Sequence, residues 1–217
     1  MAHFAPMPEV LHLTAAQARR VPWKNGRGVT EEIALGPPGT SFEAGDFDWR
    51  VSRASVVEAG PFSPFPGLDR VLVVLKGAGL VLTHGAGSAP VTVGPLAPYR
   101  FAGEAATGAT LVGGPVRDLS VLTRRGRCRA EVDVVRSVAG EQTLALPAGE
   151  ALLVAVAGAW RARLAGPGAT EPGAWTLSSG DSLWGRALRA PLALALDAGP
   201  GAVALRVSVT SAQASDR

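Results

Sequence analysis

Apolar positions along this chain come in short runs, punctuated throughout by glycine and proline. The clearest example lies at 61–82, PFSPFPGLDRVLVVLKGAGLVL. A rigid turn with two phenylalanines leads into the charged pair Asp69-Arg70. The run Val71 to Leu75 follows, then the turn Lys76-Gly77-Ala78-Gly79 and a second run, Leu80 to Leu82. Runs this short, β-branched and bounded by Gly and Pro predict strands, here a β-hairpin.

The same signal recurs. Strands are predicted at Val29–Leu35, Phe47–Val57, within Val91–Phe101, at Ala109–Val112, Val116–Thr123, Ala130–Val135 and Val203–Val209. Along Phe47–Val57 the period-two pattern puts Phe47, Trp49 and Val51 on one face and Asp48, Arg50, Ser52 and Ala54 on the other. A solvated face would account for the second set, whereas in a small barrel it would line the interior. Leu11 to Arg20 (LHLTAAQARR) is the best helix candidate, with Thr14 placed to cap it. LVVLKGAG at 72–79 lies over LVAVAGAW at 153–160 at an offset of 81, and the same offset sets LAPYRF (96–101) over LSSGDS (177–182). The repeat predicts two strand-rich units side by side.

Composition sharpens this picture. Of 217 residues, 47% are hydrophobic, enough for a substantial core, and 27 Gly with 17 Pro favour many short strands over long helices. The net charge of +3 is modest, and the densest basic group (Arg124, Arg125, Arg127, Arg129) is accompanied by no nucleic-acid-binding pattern. The one cysteine, Cys128, excludes an internal disulfide and fits a reducing compartment. Its arginine neighbours would lower its pKa, and a surface thiol is expected. The first residues lack a signal-peptide pattern and no apolar run approaches the ~20 residues of a membrane span, so a cytoplasmic protein with no membrane partner is expected.

Searches for familiar chemistry return little. The histidines are His3, His12 and His84, the last in the Gly-rich stretch THGAGS, and none forms an H-x-H or H-x-x-x-H pair. No metal and no cofactor are expected. There is no G-x-S-x-G, P-loop or dinucleotide fingerprint. What remains is a set of polar residues on predicted strands, Arg50, Ser52, Asp69, Arg70, Asp118 and Ser120, together with the loop Trp23-Lys24-Asn25. Arginine's planar fork suits carboxylate recognition, while an Arg beside an Asp is also an ordinary structural pair.

Read together, PWKNGRGVTEEIA, FDWRVSRASV, GPFSPFPGLDRVLVVLKGAG, FAGE and GGPVRDLSVLTRRG resemble the HutD/Ves family over roughly residues 10–136. The resemblance implies an all-β bicupin: two tandem cupin-like jelly-roll barrels packed side by side, at 1–116 and 117–217, with strands exchanged between the halves. It implies a protein without the usual metal histidines that binds a small anionic metabolite, a histidine-degradation intermediate such as urocanate or formylglutamate, as a pathway regulator or accessory. A homodimer is left open. The family's polar positions fall on Trp23, Lys24, Asn25, Gly26, Gly28, Thr30, Arg50, Ser52, Asp69, Arg70 and Asp118, and Ser120 joins them as a ligand-binding candidate. The chain departs from the family at Ser120, where asparagine is usual, and at Arg27, where glycine is usual. The alternative is a metal-independent isomerase or hydrolase acting on a small carboxylate, with Asp69, Asp118 or Lys24 as acid or base.

Overall fold

The computed structural model describes residues 9–23, 28–165 and 173–212. Among the described residues nineteen strands run in chain order: β1 (Glu9–Leu13), β2 (Arg19–Pro22), β3 (Val29–Gly36), β4 (Trp49–Val56), β5 (Gly60–Pro61), β6 (Leu68–Lys76), β7 (Leu80–His84), β8 (Val91–Val93), β9 (Tyr99–Ala102) and β10 (Thr107–Leu111) lead to β11 (Val116–Arg124). They continue as β12 (Cys128–Arg136), β13 (Gln142–Leu146), β14 (Gly149–Ala157), β15 (Trp160–Leu164), β16 (Ala174–Leu177), β17 (Ser182–Leu188), β18 (Leu192–Ala198) and β19 (Val203–Ser211). No described helix is long and apolar enough to cross a membrane.

The predicted helix at 11–20 is instead β1, a 3-10 turn over Ala15–Gln17, and β2. Thr14 and Gln17 close that single turn on each other. The flanking residues pair with β17 and β3. Helical propensity over ten residues is too weak to compete with such sheet edges.

The sheets repeat one pattern. In the first, the order β4-β11-β6-β9 forms one sheet, extended by β3 and β2 beyond β4, and β5-β10-β7-β8 forms the other. In the second, β12-β19-β14-β17, extended by β1, faces β13-β18-β15-β16. Strands β4–β11 and β12–β19 therefore have the same eight-strand topology, a jelly roll of two separately hydrogen-bonded sheets rather than a closed barrel. Even the irregularities coincide. The β6–β11 ladder skips Leu75 beside Arg117/Asp118, and the β14–β19 ladder skips Val156 between Ala155 and Ala157.

The stretch at 61–82 is not a hairpin. β6 pairs with β11 and β9, whereas β7 pairs with β10 and β8. The turn at 77–79 is thus a corner that carries the chain from one sheet to the other. Gly77, at φ +105°, is required there because a Cβ would lie 2.7 Å from the Pro115 carbonyl oxygen. Gly158 turns the matching corner between β14 and β15 at φ +74°, with a Cβ position 2.7 Å from that of Ala202. The offset of 81 holds to this corner and then fails. Leu80 and Trp160 start the next strands, and their partners Val93 and Leu177 lie 84 apart.

Packing divides the chain into Ala18–Glu131 with Ser211–Arg217, and Val132–Thr210 with Met1–Gln17. The division falls inside β12 rather than at 116/117, because β11 is a central strand of the N-terminal roll. β1 belongs to the C-terminal roll, on the edge of β17.

Candidate functional site

In the N-terminal roll the face turned toward the smaller sheet is set by register. Val56, Leu72, Val74 and Val116 pack there against Leu80, Leu82, Val93 and Ala109. By period-two alternation the same face carries Arg50 and Ser52 on β4, Asp118 and Ser120 on β11, and Arg70 on β6. At the far end Phe47, Leu68 and Leu122 form a second apolar cluster, with Leu35, Phe42 and Phe65 against it. The interior is thus a polar band between two apolar layers. Both faces of β4 are covered from Trp49 to Arg53, so its polar face is not the solvated one.

Arg50 is 4% exposed. Its Nε donates to Glu32 Oε2 at 2.8 Å, and its guanidinium lies 3.9 Å from the Phe42 ring centroid. Glu32 also accepts from Arg19, which in turn holds Glu43. The Arg50 Nη2 nitrogen is buried with no hydrogen-bond partner among the described residues. Desolvation lowers the Arg50 pKa, opposed by the Glu32 hydrogen bond.

Arg70 is placed differently. Its Nε donates to Ser120 Oγ at 2.6 Å, and the guanidinium lies 4.6 Å from the Phe62 ring and 5.7 Å from Phe101. Among the described residues it forms no ion pair and its terminal nitrogens make no hydrogen bond. Desolvation lowers its pKa, with Asp118 acting against this through space and Arg50 adding to it. Although part of its surface stays accessible, this guanidinium is the least compensated charge of the interior.

Asp118, 1% exposed, has Oδ1 buried with no partner among the described residues. Burial pushes its carboxyl up to about 6, with Arg70 pulling the other way. Trp23 Nε1 donates to Thr30 Oγ1 at 2.9 Å, and its ring lies over Gly28, where a Cβ would meet it at 2.9 Å. Lys24, Asn25, Gly26 and Arg27 lie outside the described residues.

Asp69 does not join this group. It alternates with Arg70 to the other face and accepts from Arg125, which also binds Glu104. Of the alternatives left open, a structural pair of Arg70 with Asp69 is therefore absent. Arg124 and Arg127 likewise bind Asp48, so three of the four clustered arginines are neutralised locally. Cys128 is half-buried, not a surface thiol. Its S–H donates to the Asp48 carbonyl, and burial raises its pKa despite the adjacent arginines.

Sequence reading missed Glu32, Phe42, Phe62 and Phe101. Alternation on β3 offered a signal for Glu32, but the β3–β4 ladder shifts register between Glu32 and Ala34 and hides it. It also missed a clasp at the other end. His84 ends β7 rather than lying in a turn. Its Nδ1 is 2.9 Å from Thr107 Oγ1, and Nε2 is 3.0 Å from the Tyr99 hydroxyl. Because the Thr107 hydroxyl donates to the Ala105 carbonyl, it accepts from Nδ1–H, and Nε2 accepts from Tyr99. Tyr99 stacks on Phe101, which reaches Arg70.

The C-terminal roll serves as an internal comparison. Register sets Ala151 where the first roll has Arg70, Ala204 for Asp118, Leu183 for Tyr99, Leu164 for His84 and Leu194 for Thr107. Ala151, Ala204, Leu183 and Leu194 are fully buried in one apolar cluster that includes Trp160. The counterpart of Ser120 is Arg206, which Asp133 holds, so the second roll lacks Arg70, Asp118 and the His84 clasp rather than every polar group. Among the described residues no three His, Cys, Asp or Glu side chains converge as metal ligands. The two interior arginines would repel a cation, so the band does not fit a metal ion.

The fold is found in the salicylate 1,2-dioxygenase of Pseudoaminobacter salicylatoxidans, at TM-score 0.59 and 9% identity over 94% of this chain and 85% of that one. Nearer in sequence is HutD from Pseudomonas fluorescens SBW25, with TM-score 0.74 and 30% identity over 94% of this chain and 99% of that one. Protein Ves of Citrobacter koseri is 43% identical over 113 residues, 52% of this chain and 56% of that protein. A 21.2 kDa protein from the hutC 3' region of Pseudomonas putida is 37% identical over 127 residues, 58% of this chain and 64% of that protein. The matched region spans less than two thirds of either relative. The HutD family pattern itself matches residues 15–204, nearly the whole described fold. The chain belongs to the HutD family.

Proposed function

We propose that the interior of the N-terminal roll binds a small anionic metabolite, a histidine-degradation intermediate such as urocanate or formylglutamate, and that the protein acts as a cytoplasmic regulator or accessory of that pathway. One observation carries the reading. Arg70 sits in a desolvated interior with Nε held by Ser120 and no carboxylate paired to it. A partly desolvated guanidinium without a carboxylate partner is costly, and a carboxylate ligand supplies the missing charge. The Phe62 and Phe101 rings flank the guanidinium at 4.6 and 5.7 Å, and its planar fork suits a bidentate carboxylate contact. The association with histidine breakdown is what the resemblance to the HutD/Ves family implies.

The test is calorimetric titration of the wild-type chain and Arg70→Met with urocanate and formylglutamate. Binding should fall by roughly ten- to a hundred-fold in the variant, as for loss of a charged hydrogen bond. Equal affinity in both would sink the reading. A second reading, turnover of a small carboxylate, is favoured by Asp118, whose carboxyl at about 6 lies near the range useful to a general base. Product formation abolished in Asp118→Asn would support it.

A further inference from the structure

We propose that the ligand of this interior carries, besides its acid group, an N–H donor that Asp118 accepts, an inference that rests on the anion-binding reading above. Asp118 faces apolar neighbours in register, Ala54 on β4 and Val74 on β6. Its Oδ1 is buried and receives nothing from the described residues. Arg70 is the charge that acts on it, yet the guanidinium is drawn to Ser120 and not to Asp118. A purely structural pair would close that gap, since arginine's long side chain allows it and a buried carboxylate oxygen is costly to leave unbonded. The arrangement instead keeps an acceptor and a donor fork apart.

Their separation limits the ligand. Ser120 and Asp118 are two residues apart on one strand, so the guanidinium at the Ser120 level and the carboxylate are about 7 Å apart along the strand. One small molecule bridges that span by placing its carboxylate on Arg70 and a neutral N–H, a few bonds away, on Asp118 Oδ1. The class is therefore a short N-acyl or azole carboxylic acid, not a simple carboxylate. A second acid group at Asp118 would meet like charge.

Calorimetry on the full chain at pH 8, where Asp118 is ionised, tests this. The probes are the N-acetyl derivatives of glycine, β-alanine and 4-aminobutyrate, each beside its N-methyl counterpart, which keeps the acid and loses the N–H. For at least one spacing, N-methylation should weaken wild-type binding at least about ten-fold, the scale of one hydrogen bond to a charged group. In Asp118→Ala that ratio should fall to within about two-fold. Asp118→Leu, closer in volume, serves if the alanine variant does not fold. Equal binding of each pair by wild type overturns the proposal and leaves the anion site standing. Discrimination that persists without Asp118 also overturns it. If no probe binds, and acetate and urocanate do not bind either, the anion-binding reading falls with it.

Discussion

Arg50 and Arg70 stand in register against the same residue, Leu122, one on each side of β11. Two guanidinium stems are thereby set about 10 Å apart on one interior face, two strand spacings. Among the described residues only Arg50 of the two is paired with a carboxylate. The shared register separates two roles that the sequence presents as equivalent: Arg50 as a structural ion and Arg70 as a charge awaiting a partner.

Substituting the two arginines should give opposite results. Arg50→Met leaves Glu32 with Arg19 alone and should destabilise by about 3 kcal/mol, the lower end for breaking a buried pair. Arg70→Met removes an uncompensated charge and should leave stability unchanged or raised while weakening carboxylate binding. Urea denaturation beside calorimetry separates these outcomes. A destabilised Arg70→Met that retains affinity would reverse the assignment.

Asp118 should make the protein less stable as pH rises through a defined window. Its carboxyl titrates near 3.8 unfolded and at about 6 folded. Between those values the folded state holds a proton that the unfolded chain has lost, so stability falls as pH rises and levels off above 6. The shift corresponds to about 3 kcal/mol. Asp118→Asn should match wild type near pH 4 and exceed it at pH 8. A variant weaker than wild type at pH 8 would contradict the uncompensated burial described here.

The corner glycines should be far less tolerant than other left-handed glycines. Gly77→Ala adds a backbone clash to an unfavourable φ and should cost about 2 kcal/mol or more. Gly85, at φ +72° with open space around it, should cost about 1 kcal/mol when changed to alanine. Comparable urea midpoints for the two variants would show that the sheet-to-sheet corner yields easily.

Cys128 should react sluggishly. With its S–H on the Asp48 carbonyl and its pKa raised by burial, the native thiol should label with a disulfide reagent at least about ten-fold more slowly than in urea. Equal rates would place the sulfur at the surface.

Much of this was legible beforehand. The strand-rich class, the repeat through Gly77 and Gly158, and the family all follow from short apolar runs and from motifs. The partners of those runs were not legible, because a Gly turn between two apolar strands looks alike whether it closes a hairpin or rounds a corner. Alternation identified the face of Arg50 and Ser52 but not what covers it. Asp69 and Arg70 look like one charged group because they are adjacent in sequence, but on a strand that adjacency puts them on opposite faces. The aromatic plates, Phe42, Phe62 and Phe101, come from distant segments whose convergence only the fold supplies.

The placement of β1 imposes a timetable on synthesis. Glu9 pairs with Arg186 and Leu13 with Ser182, so β1 leaves the ribosome some way ahead of its partner and waits for it. At translation speeds of about 5–20 residues per second that wait is roughly 10–35 s. The N-terminal roll can condense meanwhile, while Val10, Leu11 and Leu13 trail from it without a partner. Dividing the gene between 131 and 132 would strand β1 on the wrong product. The C-terminal product would then carry the bare edge of β17, a template for joining other chains.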